Sequence, residues 1–177
     1  PNKWILGVSY SDKGKTKAKS RRSSQSELEN HTLSFFRFTY RRDFPSMAPY
    51  SITGDAGWGC MLRSAQMLMG YTLRQHYLGP DWRLPSGNKL KGLRNCDEYM
   101  KIVQWFLDYP GYPHVYSLHH LVQCGMKYDK LPGEWYGPST AALVLRDLAR
   151  LHRFGYDGEV EILVTQGDTI YISEAEK

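Results

Sequence analysis

The feature that most constrains this chain is a glycine-rich turn that leads into a long apolar stretch, with a cysteine at the junction. Glycines occupy positions 54, 57 and 59, and Cys60 follows directly. Glycine adopts backbone angles that other residues avoid, and its lack of a Cβ lets a second chain approach the backbone. From position 60 to 78 apolar residues recur over a wide arc, which predicts a central, largely buried helix that Gly79 and Pro80 end. The predicted inward residues are Met61, Leu62, Ala65, Leu68, Met69, Leu73, Tyr77 and Leu78, and Gly70 is expected at a close packing contact.

The position of Cys60 at a helix start favours a reactive thiol. Unpaired N–H groups and the macrodipole favour negative charge there, and such settings lower thiol pKa values from about 8.5 to roughly 3.5–7.5. The N–H of Cys60 is also placed to face a developing oxyanion. A structural cysteine that opens a core helix would show the same pattern, because free cysteines are often buried. Cys96 and Cys124 lie within helix-like runs and lack this setting.

Composition excludes several protein classes. The length of 177 residues suits one domain or part of one, and no apolar run approaches the roughly 20 residues of a membrane span. The first four residues do not resemble a signal peptide, and three cysteines do not suggest a disulfide framework. We therefore expect a cytoplasmic protein in a reducing compartment.

The net charge of +5 comes from one short segment. Residues 11–22 hold six basic side chains and one acid, and the rest of the chain is balanced. We expect residues 11–25 to form a mobile basic loop, either a solvated insertion without a role or an arm that contacts anionic membrane surfaces. Nucleic acid is not an expected partner, because such proteins usually spread basic residues over a folded face and bind with a steep salt dependence.

The remaining pattern is helical first and changes to strand at the end. The predicted elements are a strand over 4–8, a helix from 26 to about 40 that opens with a capping box, an irregular segment over 44–57, helices over about 95–108, 117–125 and 137–155, and a β-hairpin over 159–172 with its turn at 166–168. This order predicts an α+β chain.

Two motifs resemble the autophagin family, the autophagy-related cysteine peptidases. They are residues 38–45 (FTYRRDFP) and 57–63 (GWGCMLR). Residues 4–7, 79–83 and 135–140 resemble that family's entry strand, the segment after its nucleophile helix and its tryptophan-bearing loop. The resemblance implies a papain-like fold, in which 1–177 belongs to one peptidase domain and supplies the helical half and the first strands of the antiparallel sheet.

The resemblance also assigns site residues. Cys60 would be the nucleophile and Tyr40 an oxyanion donor, since a phenol O–H is a competent donor. Trp135 would cover the cysteine and contact the substrate, with Gly59 and Trp58 beside it. The structural alternatives are a core tyrosine on an amphipathic helix for Tyr40, an ordinary buried tryptophan for Trp135, and a turn-shaping role for Trp58. No metal or other cofactor is expected.

The catalytic base is not evident in the sequence. A cysteine peptidase needs an imidazole near the thiolate and a group that orients it. His31, His76 and His152 are predicted as solvent-side residues, and His119 and His120 as helix histidines. The autophagins carry their Asp and His in an Asp-Pro-His motif, which this sequence lacks. We therefore expect the base-bearing sheet half to lie beyond residue 177.

By resemblance, the substrate is a ubiquitin-like autophagy modifier of the GABARAP type. Cleavage would follow the glycine near its C-terminus, in the precursor and in the phosphatidylethanolamine-linked form, which implies a hydrolase that serves autophagy and protein transport. The alternatives are a deubiquitinase-like peptidase for another modifier and a non-catalytic modifier-binding protein.

Overall fold

A computed structural model describes residues 2–11, 18–84, 95–155, 159–165, 170 and 172–175. The elements are β1 Asn2–Ile5, β2 Val8–Ser11, α1 Ala18–Leu33, β3 Arg42–Met47, β4 Ile52–Gly54, α2 Cys60–Leu78, α3 Cys96–Trp105, α4 Leu118–Gly125, α5 Pro138–Gly155 and α6 Ile172–Ala175, with a 3-10 turn at Met126–Tyr128. The strands form two antiparallel hairpins, β1–β2 and β3–β4. The predicted α+β class is confirmed. None of the helices in these ranges is long and apolar enough to cross a membrane.

Helix α2 is the centre of the fold. It begins at Cys60 and ends at Leu78, as predicted, and it packs against α3 and α5. Leu62, with no exposed surface, lies in the core. A Cβ at Gly70 would come 2.8 Å from Cδ2 of Phe36, which confirms the close packing expected at this glycine. The prediction that Leu68 faces inward is wrong, because its side chain is 65% exposed.

Helices α4 and α5 also follow the sequence pattern. Ser117 caps α4, and its Oγ accepts a hydrogen bond from the backbone N–H of His120. Proline at the first position of α5 suits a helix start, because the missing N–H would have no partner there. Ala141, Leu145 and Leu148 are buried on one side of α5, whereas Leu151 is exposed.

The N-terminal predictions need correction. Leu6 and Gly7 both have positive φ and form the turn between β1 and β2, so residues 4–8 do not form one strand. Helix α1 begins at Ala18, so 18–25 is helical where a loop was predicted; good helix formers and the absence of glycine and proline explain this. Residues 12–17 lie outside the described part of the chain, and mobility of the segment stays a prediction. The helix ends at Leu33, which leaves Tyr40 on an irregular segment before β3.

Two further segments differ from the predictions. Residues 44–57 were expected to be irregular, yet they contribute most of the β3–β4 hairpin, since an edge strand tolerates Pro45. Residues 159–165 are not in a strand, and Ile172–Ala175 is helical, so the predicted C-terminal hairpin does not form in the described residues. An isolated hairpin is marginal without a neighbouring sheet to pair with. The predicted turn at 166–168 lies outside those residues.

Candidate active site

The glycine turn presents Cys60 to solvent. Cys60 is the first residue of α2 and is exposed, with Gly59 at the N-cap position. Gly57 has φ 89, which side-chain-bearing residues rarely adopt. The backbone N–H groups of Gly59 and Trp58 both donate to the carbonyl oxygen of Asp55, at 2.9 and 3.3 Å. The turn is therefore closed by its own backbone, and the interpretation of Cys60 as a buried structural cysteine is wrong.

Tyr40 lies against Cys60. Its hydroxyl group interacts with the Cys60 side chain, and its side chain is half exposed. Desolvation of the phenol, followed by the charge of Cys60, raises the pKa of Tyr40 above its ordinary value. The phenol therefore remains a hydrogen-bond donor at neutral pH. The structure thus brings together the two residues that the resemblance named as catalytic, although 19 residues separate them along the chain.

The two tryptophans of the site have different environments. Trp58 is buried, and its indole N–H donates to the carbonyl oxygen of Gly54 at 3.0 Å, so it supports the turn from below. Trp135 is 74% exposed, and its indole N–H donates to the carbonyl oxygen of Gly57 at 2.5 Å. Trp135 is therefore not an ordinary buried tryptophan. It lies across the glycine turn just before Cys60.

A buried charge network lies beneath the turn, and the sequence analysis missed it. Nε of Arg63 is 2.8 Å from Oδ2 of Asp55, and Nη2 of Arg63 is 3.0 Å from Oδ2 of Asp108. The same Asp108 oxygen is 2.7 Å from Nη1 of Arg41. Burial would raise the pKa of Asp108, but the hydrogen bond and charge of Arg63, the charge of Arg41 and the N–H of Leu118 lower it. The sequence does contain one signal for this network: Arg63 follows Leu62 in a helix predicted to be buried, and a buried charge needs a partner.

Two histidines predicted at the solvent are buried. His31 is 2% exposed, and its Nδ1 is 2.6 Å from the hydroxyl oxygen of Tyr10. His152 is 1% exposed, and its Nδ1 is 3.0 Å from the hydroxyl oxygen of Tyr116. Both rings complete the aromatic packing around them, which is why the helix pattern alone misplaced them. Burial and two nearby arginines lower the pKa of His31.

The other four histidines also have partners of their own. The partners are Glu159 for His76, the Gln104 carbonyl for His114, the Pro45 carbonyl for His119, and Ser117 with the His114 carbonyl for His120. In the part of the chain that the structure describes, each of the six imidazoles thus has a partner other than the Cys60 thiol. That part also contains no group of three or more His, Cys, Asp or Glu residues suited to a metal ion.

The sequence matches a known catalytic domain over the whole of this site. Residues 25–177 match the peptidase C54 catalytic domain. The chain belongs to the peptidase C54 family. The predicted resemblance to the autophagy-related, papain-like cysteine peptidases is thereby confirmed.

Curated relatives of this C54 chain carry the name cysteine protease. It is 38% identical to cysteine protease ATG4B of Gallus gallus, over 82% of this chain and 33% of the relative. It is 34% identical to cysteine protease ATG4B of Xenopus laevis and 34% identical to cysteine protease ATG4A of Bos taurus, over 97% and 98% of this chain and 39% of each relative. The C54 chain thus spans between a third and two fifths of the length of these relatives.

Proposed function

We propose that this chain is the nucleophile-bearing part of a cysteine endopeptidase. Its substrate is a ubiquitin-like autophagy modifier, which it cleaves after the glycine near the C-terminus. The observation that carries the proposal is the exposed Cys60 at the start of α2, with Tyr40 beside its side chain and Trp135 hydrogen-bonded to Gly57 in the turn that precedes it. The names of the relatives support the peptidase assignment.

The proposed reaction uses the thiolate of Cys60. Its sulfur attacks the carbonyl carbon of the glycine, and the carbon–nitrogen bond breaks. The amine leaves with a proton from the imidazolium of the proposed base, so that a thioester remains on Cys60. Water then hydrolyses the thioester to the modifier's carboxylate and the free thiol. The Tyr40 hydroxyl and the Cys60 N–H donate to the oxyanion formed in each step. Loss of one such donor typically lowers the rate by about 10²–10³.

The surroundings of Cys60 suit a flexible tail that ends in glycine. Trp135 lies on one side of the path, and the turn at Gly57 and Gly59 forms its floor without side chains. An extended backbone can approach such a floor closely. We assign a modifier of the GABARAP type, cleaved both as a precursor and in its phosphatidylethanolamine-linked form. In this proposal the enzyme acts in autophagy and protein transport in the cytoplasm.

The proposed base and its orienting carboxylate lie outside this sequence. The hydrogen bonds of the six histidines support this proposal, because each imidazole is bonded to a group other than the Cys60 thiol. An apolar groove of about 500 Å³ beside the first turns of α2 offers a seat for the base-bearing half. Met61 and Ser64 line it on α2, Ala142 on α5 and Ile162 on the C-terminal segment. The exposed Leu68 also lines this groove and would be covered by such a contact.

A modifier that carries a thiol-reactive group at its C-terminal glycine tests the proposal. We expect one covalent adduct, located on Cys60 by peptide mass spectrometry and absent from Cys60→Ala, while Cys96→Ala labels normally. Labelling by a ubiquitin probe in place of the GABARAP-type probe would indicate the deubiquitinase-like alternative. We also expect no turnover from the 177 residues alone and turnover once the base-bearing half is supplied. Full hydrolytic activity without that half would refute the assignment of the base.

A non-catalytic modifier-binding protein is the second candidate. The observation in its favour is that every described imidazole has a partner away from Cys60. Tight binding of the modifier without an adduct on Cys60 would support it.

The basic segment 11–22 is our proposed contact with anionic membrane surfaces, where a lipid-linked substrate would lie. Cosedimentation with phosphatidylserine vesicles should fall when these basic residues are neutralised, and unchanged cosedimentation would contradict this contact.

A further inference from the structure

We propose that Asp55 is a positioning residue that fixes Tyr40 relative to Cys60. The inference rests on the proposed function, because it concerns the pair assigned there to the chemistry. Oδ1 of Asp55 accepts a hydrogen bond from the backbone N–H of Arg41, at 2.6 Å. The backbone carbonyl of Asp55 accepts the N–H of Gly59, at 2.9 Å. Arg41 directly follows Tyr40, and Gly59 directly precedes Cys60, so one residue is bonded to the neighbours of both.

The side chain of Asp55 is held in a single orientation. It has no exposed surface, and its second oxygen, Oδ2, accepts from Nε of Arg63 at 2.8 Å. Both oxygens therefore have a donor, and rotation of the carboxylate would break two buried hydrogen bonds, each of which is expensive to lose. Arg63 belongs to α2, the helix that Cys60 begins, so the carboxylate is anchored to the nucleophile helix as well as to the segment that carries Tyr40.

The glycine before the nucleophile fits the same role. A Cβ at Gly59 would lie 2.4 Å from Oδ2 and 2.8 Å from Cβ of Asp55. The φ of Gly59 is −77, so a side chain is excluded here by the space that Asp55 occupies and not by the backbone angle. The position of the Asp55 side chain therefore requires a glycine directly before Cys60.

Asparagine at position 55 cannot reproduce this arrangement. It keeps the shape of aspartate but has one oxygen, so either the Arg41 N–H or the Arg63 side chain would face an NH₂ group. We therefore expect Asp55→Asn to release the Tyr40 segment from Cys60. Asp108→Asn is the matched control, because it removes a charge from the same network. Asp108 contacts Arg41 only through the guanidinium group, takes its backbone N–H from Leu118, and makes no hydrogen bond to the main chain of Arg41 or Gly59.

A mutant cycle on Cys60 alkylation by iodoacetamide tests this, with peptide mass spectrometry to separate Cys60 from the other two cysteines. In the wild-type background, Tyr40→Phe should slow alkylation about threefold or more, the equivalent of one net hydrogen bond to the thiolate. In the Asp55→Asn background the same change should have no effect, whereas in the Asp108→Asn background the full factor should remain. An equal factor in folded Asp55→Asn would overturn the proposal and leave Asp55 a role in stability only.

Two additions keep the test decisive. If Asp55→Asn does not fold, Gly59→Ala displaces the Asp55 side chain without removing a charge, and it too should abolish the Tyr40→Phe factor; a retained factor would again overturn the proposal. Alkylation needs no modifier, so a failed cycle is distinguishable from failure of the proposed peptidase activity. In the complete enzyme, Asp55→Asn should lower kcat with KM unchanged, because the substrate tail contacts other groups.

Discussion

Replacement of Arg63 by methionine should be among the most damaging single changes to stability. Arg63 is 2% exposed and is paired with Asp55 at 2.8 Å and with Asp108 at 3.0 Å. Methionine is flexible enough to fill much of the space, so loss of charge dominates over loss of packing. Asp108 keeps Arg41 as a partner, but Asp55 keeps only a backbone N–H. Removal of one partner from a buried pair typically costs about 3–5 kcal/mol, and we expect a loss in this range at pH 7.

The loss should depend on pH in a defined direction. Burial would raise the pKa of Asp108, but its bonds to Arg63 and the charges of Arg63 and Arg41 hold that pKa below the ordinary 3.8. A carboxylate with a lowered folded-state pKa stabilises the fold above the unfolded-state pKa, and this stabilisation is lost as pH falls through the folded-state value. Arg63→Met removes much of this effect. The difference in unfolding free energy between wild type and variant should therefore be greatest near pH 7 and should shrink as pH falls below 3.8 toward the lower folded-state pKa of Asp108.

Urea unfolding at a series of pH values measures this difference. Arg42→Met is the matched control, because Arg42 lies 3.7 Å from Asp43 and both side chains are almost fully exposed. Exposed pairs contribute little, so the control should change the unfolding free energy by less than about 1 kcal/mol. An Arg63→Met loss no larger than that of the control, or a loss that does not vary with pH, would refute the reasoning from the buried network.

Two further predictions concern packing and access to the Cys60 thiol. Gly70→Ala should destabilise the fold by about 1 kcal/mol. Overpacking against Phe36 at 2.8 Å costs roughly 1–3 kcal/mol, and the higher helix propensity of alanine offsets only about 1 kcal/mol of that cost. Thermal unfolding measures the change, and a rise in Tm would contradict the contact. Trp135→Phe removes the indole hydrogen bond to Gly57 but changes an exposed residue, so Tm should shift by no more than about 2 °C. A bulky maleimide should then react with Cys60 faster relative to iodoacetamide, whereas Trp4→Phe, at an exposed tryptophan of the first hairpin, should leave that ratio unchanged.

The helices that the sequence predicted best are those with local stop signals and a clear apolar side. The α2 helix begins at Cys60 and ends at Leu78, where Gly79 and Pro80 interrupt it, and α5 begins at Pro138. These signals act within a few residues of the chain, so no tertiary information is needed to recognise them. The segment 18–25 shows the opposite case, because charge and serine content suggested a loop although the residues are adequate helix formers.

The individual residues of the candidate site were predicted from motifs, but their arrangement was not. Tyr40 was expected on a helix, and the structure places it on an irregular segment with its hydroxyl group at Cys60. The sequence did not distinguish a buried Trp135 from one at the site, whereas the structure places its exposed side chain over Gly57. The roles of both residues in catalysis and substrate binding remain predictions, as does that of Gly59.

The sequence by itself determined the glycine turn that leads to Cys60, because glycines and a helix start impose their geometry on adjacent residues. Only the tertiary structure decided what lies around that turn. Asp55, Arg63 and Asp108 are distant along the chain, and their pairing depends on which buried charges meet when α2 packs against the segments on either side. Burial makes each of these charges depend on the others, and no local pattern records such a dependence.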